Sequence, residues 1–403
     1  MMNAPKQRVM FYCQHVLGMG HLMRSLAIVS GLTDFEVCFI NGGAWLNGLV
    51  PPAHVEVVNL PPIISDAEFR QLRATEEAQS LDDIKAQRRQ MLLDTFARVQ
   101  PQALVIEMFP FGRRKFADEL LPLLAQAKAD GSQTKIACSL RDILVSKRDQ
   151  ARFEAAACRI ASEYFDLVMI HSDPHFQRLE ETFSLAGELR CPAVYTGFVT
   201  PDSMRPAANE PPADSGQRLI VVSIGGGRVG SELIRGAIEA SQLIRERTPH
   251  RLLIFTGPYL PEAEFEQLQQ QALKLPAVTL QRYTPDLTAI LRQADLSLSM
   301  AGYNTCLNLL VSGTRAIVYP FSGNDNQEQR LRAEKLRARG LVEIISPDEL
   351  RPDRLAELML QSLGRPQAAN DSLQLNLNGV AGAAAALQRL VTGGAFVAGE
   401  IVQ

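Results

Sequence analysis

The sequence predicts an α/β fold made of two doubly wound, parallel-sheet domains. The length of 403 residues suits two domains. Short apolar strands alternate with helices along the chain, and a segment rich in Pro, Asn and Ser interrupts this alternation. The expected domains are 1–199 and 218–391, joined by a linker at 200–217 and followed by a loose tail at 392–403. Ligands of such sheets bind beyond the carboxyl ends of the strands, so we expect an interdomain cleft.

Each expected strand is a short apolar run that ends at polar or turn residues. In the first domain the expected strands are 8–13, 36–40, 55–60, 103–107, 135–140, 167–171 and 193–196. In the second domain they are 219–224, 252–256, 278–281, 296–300, 316–319 and 342–345. An Ala-rich helix at 379–391 is expected to close the second domain.

A charged helix is expected at 81–99, where apolar residues recur at three- and four-residue spacing. Ser80 and Asp83 form a capping-box pattern at its start. Its basic residues are expected on the polar side; they are Lys85, Arg88 and Arg89. This pattern leaves two alternatives, an ordinary packed helix or a peripheral contact with a membrane face.

Composition excludes several classes of protein. The chain is 46% hydrophobic and 21% charged with a net charge of −3, which is typical of a globular protein and not of a nucleic-acid binder. The six cysteines are scattered without a C-x-x-C pair, and Pro174 separates His171 from His175, so no metal site is expected. No apolar run approaches the roughly 18 residues that span a bilayer, and the first residues lack a signal-peptide core. We therefore expect a cytoplasmic protein.

The turn after the first strand contains Gly18, Gly20, His21 and Arg24. Glycines leave backbone amides free at the start of a helix, and a neutral His21 there could take a proton from a hydroxyl nucleophile. The alternative is a turn with a capping histidine. Further polar residues follow the fourth and fifth strands, and they could act as an alternative base or orient an acceptor, or form structural contacts. These residues are Glu107, Arg113, Arg141 and Asp142.

Three segments of the second domain also follow strands. The first segment contains Gly225, Gly226, Gly227 and Arg228. Its backbone amides could form a nest that binds an anion. Its glycines lack the G-x-G-x-x-G spacing of a dinucleotide-binding site. The second could hold a diphosphate on a helix dipole or simply cap the helix; it contains Ser299, Gly302, Asn304 and Thr305. The third, at 320–329, could grip sugar hydroxyls or form a solvated helix start; it ends with Glu328 and Gln329.

Together these segments resemble the GT-B glycosyltransferases. The resemblance is to the family 28-type group that contains the lipid II N-acetylglucosaminyltransferase and the plant galactolipid synthases. It rests on the G-x-G-H turn at 18–21, the glycine-rich turn at 225–227, A-G-x-x-T at 301–305 and the acidic–Gln pair at 328–329. The segments 107–114 and 119–124 also resemble a bacterial branch of predicted glycosyltransferases.

The resemblance implies an inverting, metal-independent transfer of a hexose or N-acetylhexosamine from a nucleotide sugar, with UDP as the leading choice. No cofactor is implied, and the acceptor is not identified. His21 would be the base, and 225–227 and 302–305 would hold the donor diphosphate. Tyr283 would contact the nucleobase, and Glu328 and Gln329 would bind donor-sugar hydroxyls.

One residue departs from the family pattern. Asn308 stands where the family has a Glu that binds both ribose hydroxyls, and an amide binds a diol without charge-assisted strength. Two alternatives therefore stay open. The chain could be a nucleotide-sugar hydrolase, since 18–24 is similar to a turn of the UDP-sugar hydrolase of pseudaminic acid synthesis. It could also be a non-catalytic protein that binds sugar nucleotides.

Overall fold

The computed structural model describes residues 6–15, 20–45, 49–65, 72–74, 80–200, 217–321, 327–365 and 375–402. They belong to two compact units, each built on one parallel sheet and its helices. The first unit comprises Met1–Pro201 and Leu375–Gln403, and the second comprises Asp202–Gln374. The predicted α/β class with two parallel-sheet domains is confirmed.

Among the described residues, the first unit begins with a series of strands and α-helices. They are β1 (Gln7–Cys13), α1 (Gly20–Ser30), β2 (Phe35–Asn41), β3 (Val55–Asn59), β4 (Ile63–Ser65), β5 (Leu72–Ala74), α2 (Leu81–Val99), β6 (Ala103–Glu107), α3 (Ala117–Ala127), β7 (Lys135–Arg141), α4 (Gln150–Tyr164), β8 (Leu167–His171) and β9 (Ala193–Tyr195). Strands β4 and β5, which the sequence did not predict, pair as an antiparallel hairpin.

The first sheet is buried on both faces. Its strands run parallel in the order β3-β2-β1-β6-β7-β8-β9. Because side chains alternate along a strand, Met10 and Tyr12 of β1 pack toward α2, α3 and α4, while Val9 and Phe11 pack on the opposite face with α1. Continuous apolar strands are what a sheet covered on both sides requires.

Helix α2 begins as predicted but does not present all of its basic residues to solvent. Ser80 Oγ accepts a hydrogen bond from the backbone N–H of Asp83 at 3.1 Å. Arg88, expected on the polar side, is fully buried. Its charge is neutralised there, since its guanidinium donates to both carboxylate oxygens of Glu119 at 2.7 Å. The alternative of a membrane-facing basic side therefore loses its central residue. In the described ranges, no helix is both long enough and apolar enough to cross a membrane.

The second unit repeats the alternation of strand and helix. Its elements are β10 (Arg218–Ser223), α5 (Ser231–Ile244), β11 (His250–Phe255), α6 (Glu262–Ala272), β12 (Val278–Gln281), α7 (Leu287–Gln293), β13 (Leu296–Met300), α8 (Tyr303–Ser312), β14 (Ala316–Tyr319), α9 (Glu328–Ala338), β15 (Glu343–Ile344) and α10 (Pro352–Gly364). The parallel strand order is β12-β11-β10-β13-β14-β15.

The end of the chain corrects the expected domain boundary. Helix α11 (Gly379–Val391), expected in the second domain, packs its buried alanines and leucines in the first unit with α1. Its small residues allow this close approach, since a Cβ on Gly382 would lie 2.2 Å from Thr196 O. The expected loose tail is also held, because Val402 N donates to Tyr195 O at 2.8 Å. Of the expected linker, 201–216 lies outside the described residues.

Candidate active site

The first sheet reverses its direction of growth between β1 and β6. The chain builds from β1 outward through β2 and β3, and then returns to the other side of β1 with β6. Ligands of open α/β sheets bind in the crevice beyond the carboxyl ends of the strands at such a reversal. Helix α1 begins at Gly20 and His21, and β6 ends at Glu107, so these residues meet there. Gly18 lies outside the described residues.

A buried ion cluster joins the start of α1 to the end of β6. His21 Nδ1 is 2.6 Å from Glu107 Oε1, and Arg24 donates to the same oxygen. His21 and Arg24 are three residues apart, which places both on one face of the helix. Glu107 and Arg24 are buried, whereas 21% of the His21 side chain is exposed. The cluster thus has a buried anion and an accessible imidazole.

The protonation states follow from this arrangement. Burial lowers the pKa of His21 to about 3. Glu107 acts in the opposite direction, and the positive charges of Arg113 and Arg24 lower the pKa further. Burial alone would raise the pKa of Glu107, but His21, Arg24 and Arg113 lower it below its usual value. A neutral imidazole that donates Nδ1–H to Glu107 presents Nε2 as a proton acceptor. A carboxylate in this position can orient His21, and the role of Glu107 as an alternative base stays a prediction.

The segment after β6 folds back so that Arg113 approaches the same carboxylate. Met108 and Arg113 have φ angles of 65° and 56°, a backbone conformation that residues with side chains rarely adopt. Gly112 N donates to Met108 O at 2.8 Å and closes this turn. Arg113 Nε lies 3.7 Å from Glu107 Oε2. The predicted acceptor-side residues Arg24 and Arg113 therefore both lie against Glu107.

The neighbouring strand end supplies further basic residues. Arg141 is the last residue of β7, and the buried Asp142 follows it. Lys147 lies in the loop before α4, and burial together with the charges of Arg141 and Arg113 lowers its pKa. Sequence reasoning missed Lys147, because no motif or strand end marks it.

The two histidines considered for a metal serve separate local networks. His171 is buried between Ser139 Oγ at 2.7 Å and Thr196 Oγ1 at 2.8 Å. His175 lies against Asp173 Oδ1 at 2.9 Å, and most of its side chain is exposed. Over the part of the chain that the structure describes, no group of three or more His, Cys, Asp or Glu could hold a metal ion.

The second sheet has an equivalent reversal between β10 and β13. The chain builds from β10 through β11 to β12, and then returns to the other side of β10 with β13. The two predicted turns after these strands are neighbours, because a Cβ on Gly230 would lie 2.3 Å from Met300 Sδ. The sequence placed both turns at strand ends, and the strand order brings them together.

Two glycines after β10 occupy positions where a side chain would be strained or would clash with neighbouring backbone. Gly225 and Gly227 have φ angles of 68° and 91°, in the left-handed region that favours glycine. A Cβ on Gly227 would lie 2.4 Å from Thr256 O, so no side chain fits there. Gly226 O accepts a hydrogen bond from Tyr259 N at 3.0 Å, and the Arg228 guanidinium lies 5.3 Å from the centre of the Tyr259 ring.

Two helices begin at this reversal without side-chain caps. The N-cap residues are Gly230 for α5 and Gly302 for α8, and neither provides a capping side chain. Asn304 and Thr305 lie in the first turn of α8, so they are not N-caps as the alternative interpretation expected. First-turn amides that lack a cap, together with the helix dipole, attract anions. Ser299 does not join them, because it is buried and its Oγ lies 2.6 Å from Ser297 Oγ.

The start of α9 is tied to the turn after β13. Arg332 Nη2 donates to Glu328 Oε1 at 2.8 Å, and its Nη1 donates to Ala301 O at 3.0 Å. Gln329 Oε1 accepts a hydrogen bond from Phe321 N at 3.0 Å. The predicted sugar-binding pair is thus adjacent to the Gly302 turn, while 322–326 lies outside the described residues.

The two residues predicted for the nucleoside are in different surroundings. Tyr283 is 46% exposed in the loop after β12. Asn308 is buried in α8, and its Oδ1 accepts a hydrogen bond from Thr288 Oγ1 at 3.2 Å. Thr288 belongs to α7, so this bond links the two helices and fixes the side chain of Asn308.

Comparison with known proteins bears on the second unit most directly. Residues 221–387 match the model of the Glycosyltransferase family 28 C-terminal domain. The UDP-N-acetylglucosamine--N-acetylmuramyl-(pentapeptide) pyrophosphoryl-undecaprenol N-acetylglucosamine transferase of Brucella anthropi is 30% identical over 156 residues, or 38% of this chain and 40% of that relative. The chain therefore spans less than half the length of this curated relative.

Solved structures resemble the whole chain. MurG from Acinetobacter baumannii is 15% identical, with a TM-score of 0.59 over 96% of this chain and 100% of that chain. A chain assigned as a UDP-N-acetylglucosamine 2-epimerase from Listeria monocytogenes is also 15% identical, with a TM-score of 0.62 over 97% and 100%. At this level of identity the likeness shows the fold alone, and a fold hosts more than one reaction. The protein therefore has the GT-B fold, and its residues 221–387 are similar to the glycosyltransferase family 28 C-terminal domain.

Proposed function

We propose that this protein is an inverting, metal-independent glycosyltransferase that moves a hexose or N-acetylhexosamine from a UDP-sugar to a hydroxyl acceptor. The observation that carries the proposal is the pair formed by His21 Nδ1 and the buried Glu107, 2.6 Å apart at the reversal of the first sheet. A neutral histidine oriented by a carboxylate is suited to remove a proton from a hydroxyl group. The match of the second unit to family 28 supports a sugar-transfer reaction.

The donor would be held by the second unit. Its diphosphate would accept hydrogen bonds from backbone amides of 225–227 and of 302–305, and Arg228 would add a positive charge. Tyr283 would contact the base, Asn308 the ribose, and Glu328 and Gln329 the sugar. The uncapped starts of α5 and α8 support this placement. The name of the Brucella anthropi relative supports UDP-N-acetylglucosamine as the first donor to test.

The chemical step would be a direct displacement at the anomeric carbon of the donor sugar. The acceptor hydroxyl would give its proton to His21 Nε2 while its oxygen forms a bond to the anomeric carbon. The bond from that carbon to the diphosphate oxygen would break, and UDP would leave with both electrons. Attack opposite to the leaving group inverts the anomeric centre. Amides at the helix N-termini would stabilise the charge that develops on the leaving diphosphate.

The test is UDP release from UDP-N-acetylglucosamine, with the lipid-linked acceptor named for the relative offered first. The variant His21→Ala should lower kcat by at least about 100-fold, the usual size of a general-base contribution, and leave UDP affinity unchanged. His175→Ala is the matched control, since that histidine is mostly exposed and belongs to the same unit. Equal turnover by wild type and His21→Ala would contradict the proposal.

Two other outcomes would replace transfer by a different function. Release of free sugar at the same rate with and without every acceptor would identify a hydrolase, in which water takes the place of the acceptor. Calorimetric binding of UDP without turnover against any acceptor would identify a non-catalytic sugar-nucleotide binder.

A further inference from the structure

We propose that Arg332 is a positioning residue, which holds the backbone amide of Gly302 in the orientation that binds the donor diphosphate. This inference rests on the proposed function, because it specifies how the second unit would hold the donor. It gives a role to a residue that is not among those assigned to contact the donor.

Arg332 is a buried cation that reaches from α9 to the turn after β13. Its side chain is 2% exposed, and it lies four residues after Glu328 on the same helix. Its Nη2 donates to Glu328 Oε1 at 2.8 Å, and its Nη1 donates to Ala301 O at 3.0 Å. Burial of a charged group is costly unless the group is paired and hydrogen-bonded, so these bonds define where the guanidinium lies.

Two neighbours restrict the motion of this guanidinium. The carboxylate of Glu328 is itself buried and forms an ion pair with Arg332 at i,i+4 spacing within α9. The centre of the buried Tyr303 ring, at the start of α8, lies 5.6 Å from Arg332 Cζ, a distance at which a ring face attracts a cation. Ala301 O therefore meets a donor that is held from two helices.

The bond to Ala301 O sets the direction of the next backbone amide. Among the described residues the cis peptide bond is Phe109–Pro110, so the peptide between Ala301 and Gly302 is trans. The C=O and N–H of a planar trans peptide point in opposite directions. The Gly302 N–H therefore points away from Arg332. Donation to the carbonyl also polarises the peptide, which strengthens its N–H as a hydrogen-bond donor.

The surroundings of Gly302 leave room for a ligand. A Cβ built on Gly302 would meet only Thr305 Oγ1, at 3.9 Å, among the described residues. Over the same residues, no group accepts a hydrogen bond from Gly302 N. Gly302 is also the N-cap of α8 and provides no capping side chain. A diphosphate oxygen placed here would accept from the amide that Arg332 orients.

The geometry uses a property that distinguishes arginine from lysine. A guanidinium carries its N–H groups on separate nitrogens in a rigid fork, so Arg332 serves Glu328 and Ala301 O at the same time. The substitution Arg332→Lys keeps a positive charge at i,i+4 spacing from Glu328 but replaces the fork by a single nitrogen. It therefore separates the orienting role from simple neutralisation of Glu328.

The test compares the binding of UDP and of uridine to the wild type and to two variants, with denaturant unfolding to confirm that each protein is folded. Arg332→Lys should bind UDP about tenfold more weakly, the loss expected when one hydrogen bond to a charged group is weakened. Its affinity for uridine should not change, because uridine has no diphosphate. Arg330→Lys is the matched control, since Arg330 lies on the same helix in an exposed i,i+4 pair with Glu334. It should bind both ligands as the wild type does.

The outcomes separate this inference from the proposed function. If Arg332→Lys binds UDP as tightly as the wild type does, neutralisation of Glu328 is sufficient and the orienting role is wrong. Equal losses for UDP and uridine would indicate a general disturbance of the unit and would also overturn the inference. In both cases UDP binding by the wild type leaves the proposed function standing. If the wild type itself does not bind UDP, the proposed function fails.

Discussion

The substitution Glu107→Gln tests how the carboxylate supports His21. It keeps the size of the side chain but removes the negative charge that accepts from His21 Nδ1 and Arg24. The imidazolium formed during proton transfer then loses its counter-ion, and the amide can impose the wrong tautomer. In enzymes with a carboxylate–histidine pair, replacing the carboxylate by an amide lowers kcat by up to about 10⁴-fold. For Glu107→Gln we expect kcat to fall by about 10²–10⁴-fold. That range equals about 2.7–5.4 kcal/mol in activation free energy.

The same substitution also affects stability, and a control separates the two effects. Glu107→Gln leaves Arg24 and Arg113 buried without their shared anion, which we expect to lower the unfolding free energy by about 3–5 kcal/mol. Glu119→Gln removes another buried carboxylate of the first unit, the partner of Arg88, at a site separate from His21. It should cause a similar loss of stability without the loss in kcat.

The assay combines denaturant unfolding, calorimetric UDP binding and the rate of UDP release, all at a temperature where both variants are folded. The reasoning predicts a low kcat for Glu107→Gln only, with UDP affinity unchanged in both variants. If Glu107→Gln and Glu119→Gln lowered kcat equally, the effect of Glu107 would be structural, and the orienting role would be refuted.

Five further predictions follow from the same proposals. Because the folded pKa of His21, about 3, lies below its usual 6.5, kcat/KM should show no His21 acid limb between pH 8 and 5; a limb near 6.5 would contradict this. The stability that comes from neutral His21 should be complete above about pH 6.5 and fall as the pH drops toward 3. Asn308→Glu should tighten UDP binding about tenfold by charge-assisted bonds to the ribose, and unchanged calorimetric affinity would show that the ribose lies elsewhere. Gly227→Ala should lower Tm and UDP affinity, because its Cβ would lie 2.4 Å from Thr256 O; Gly364→Ala, which meets nothing within 4 Å, should do neither. EDTA should leave UDP release unchanged, and a loss that Mg²⁺ restores would contradict metal-independent transfer.

The sequence was sufficient for the fold class because inner strands of the parallel sheets, such as β6 and β8, are buried and mostly apolar. The expected strands 103–107, 167–171 and 296–300 match the observed bounds. Helix α11 was assigned to the wrong unit, since an Ala-rich helix packs closely against many surfaces and its sequence does not specify which. The buried Arg88 was also misplaced, because a helical pattern does not show that Glu119 neutralises it.

The candidate site was predictable in its separate parts but not in its pairing. Strand ends and glycine turns identified His21, Glu107 and Gly302 individually. The bond between His21 and Glu107 joins residues 86 positions apart, so it depends on the order of strands in the sheet. The lowered pKa of Lys147 had no sequence signal, because it depends on burial and on the charges of Arg141 and Arg113, which are distant or unpatterned in sequence.

The central claim is that backbone amides of the turn at 225–227 and of the turn at 302–305, where α8 begins, hold the donor diphosphate. A crystal structure of the protein with UDP tests it most directly. We predict diphosphate oxygens within hydrogen-bonding distance of backbone nitrogens in both 225–227 and 302–305. Uridine diphosphate bound away from these two turns would contradict the account.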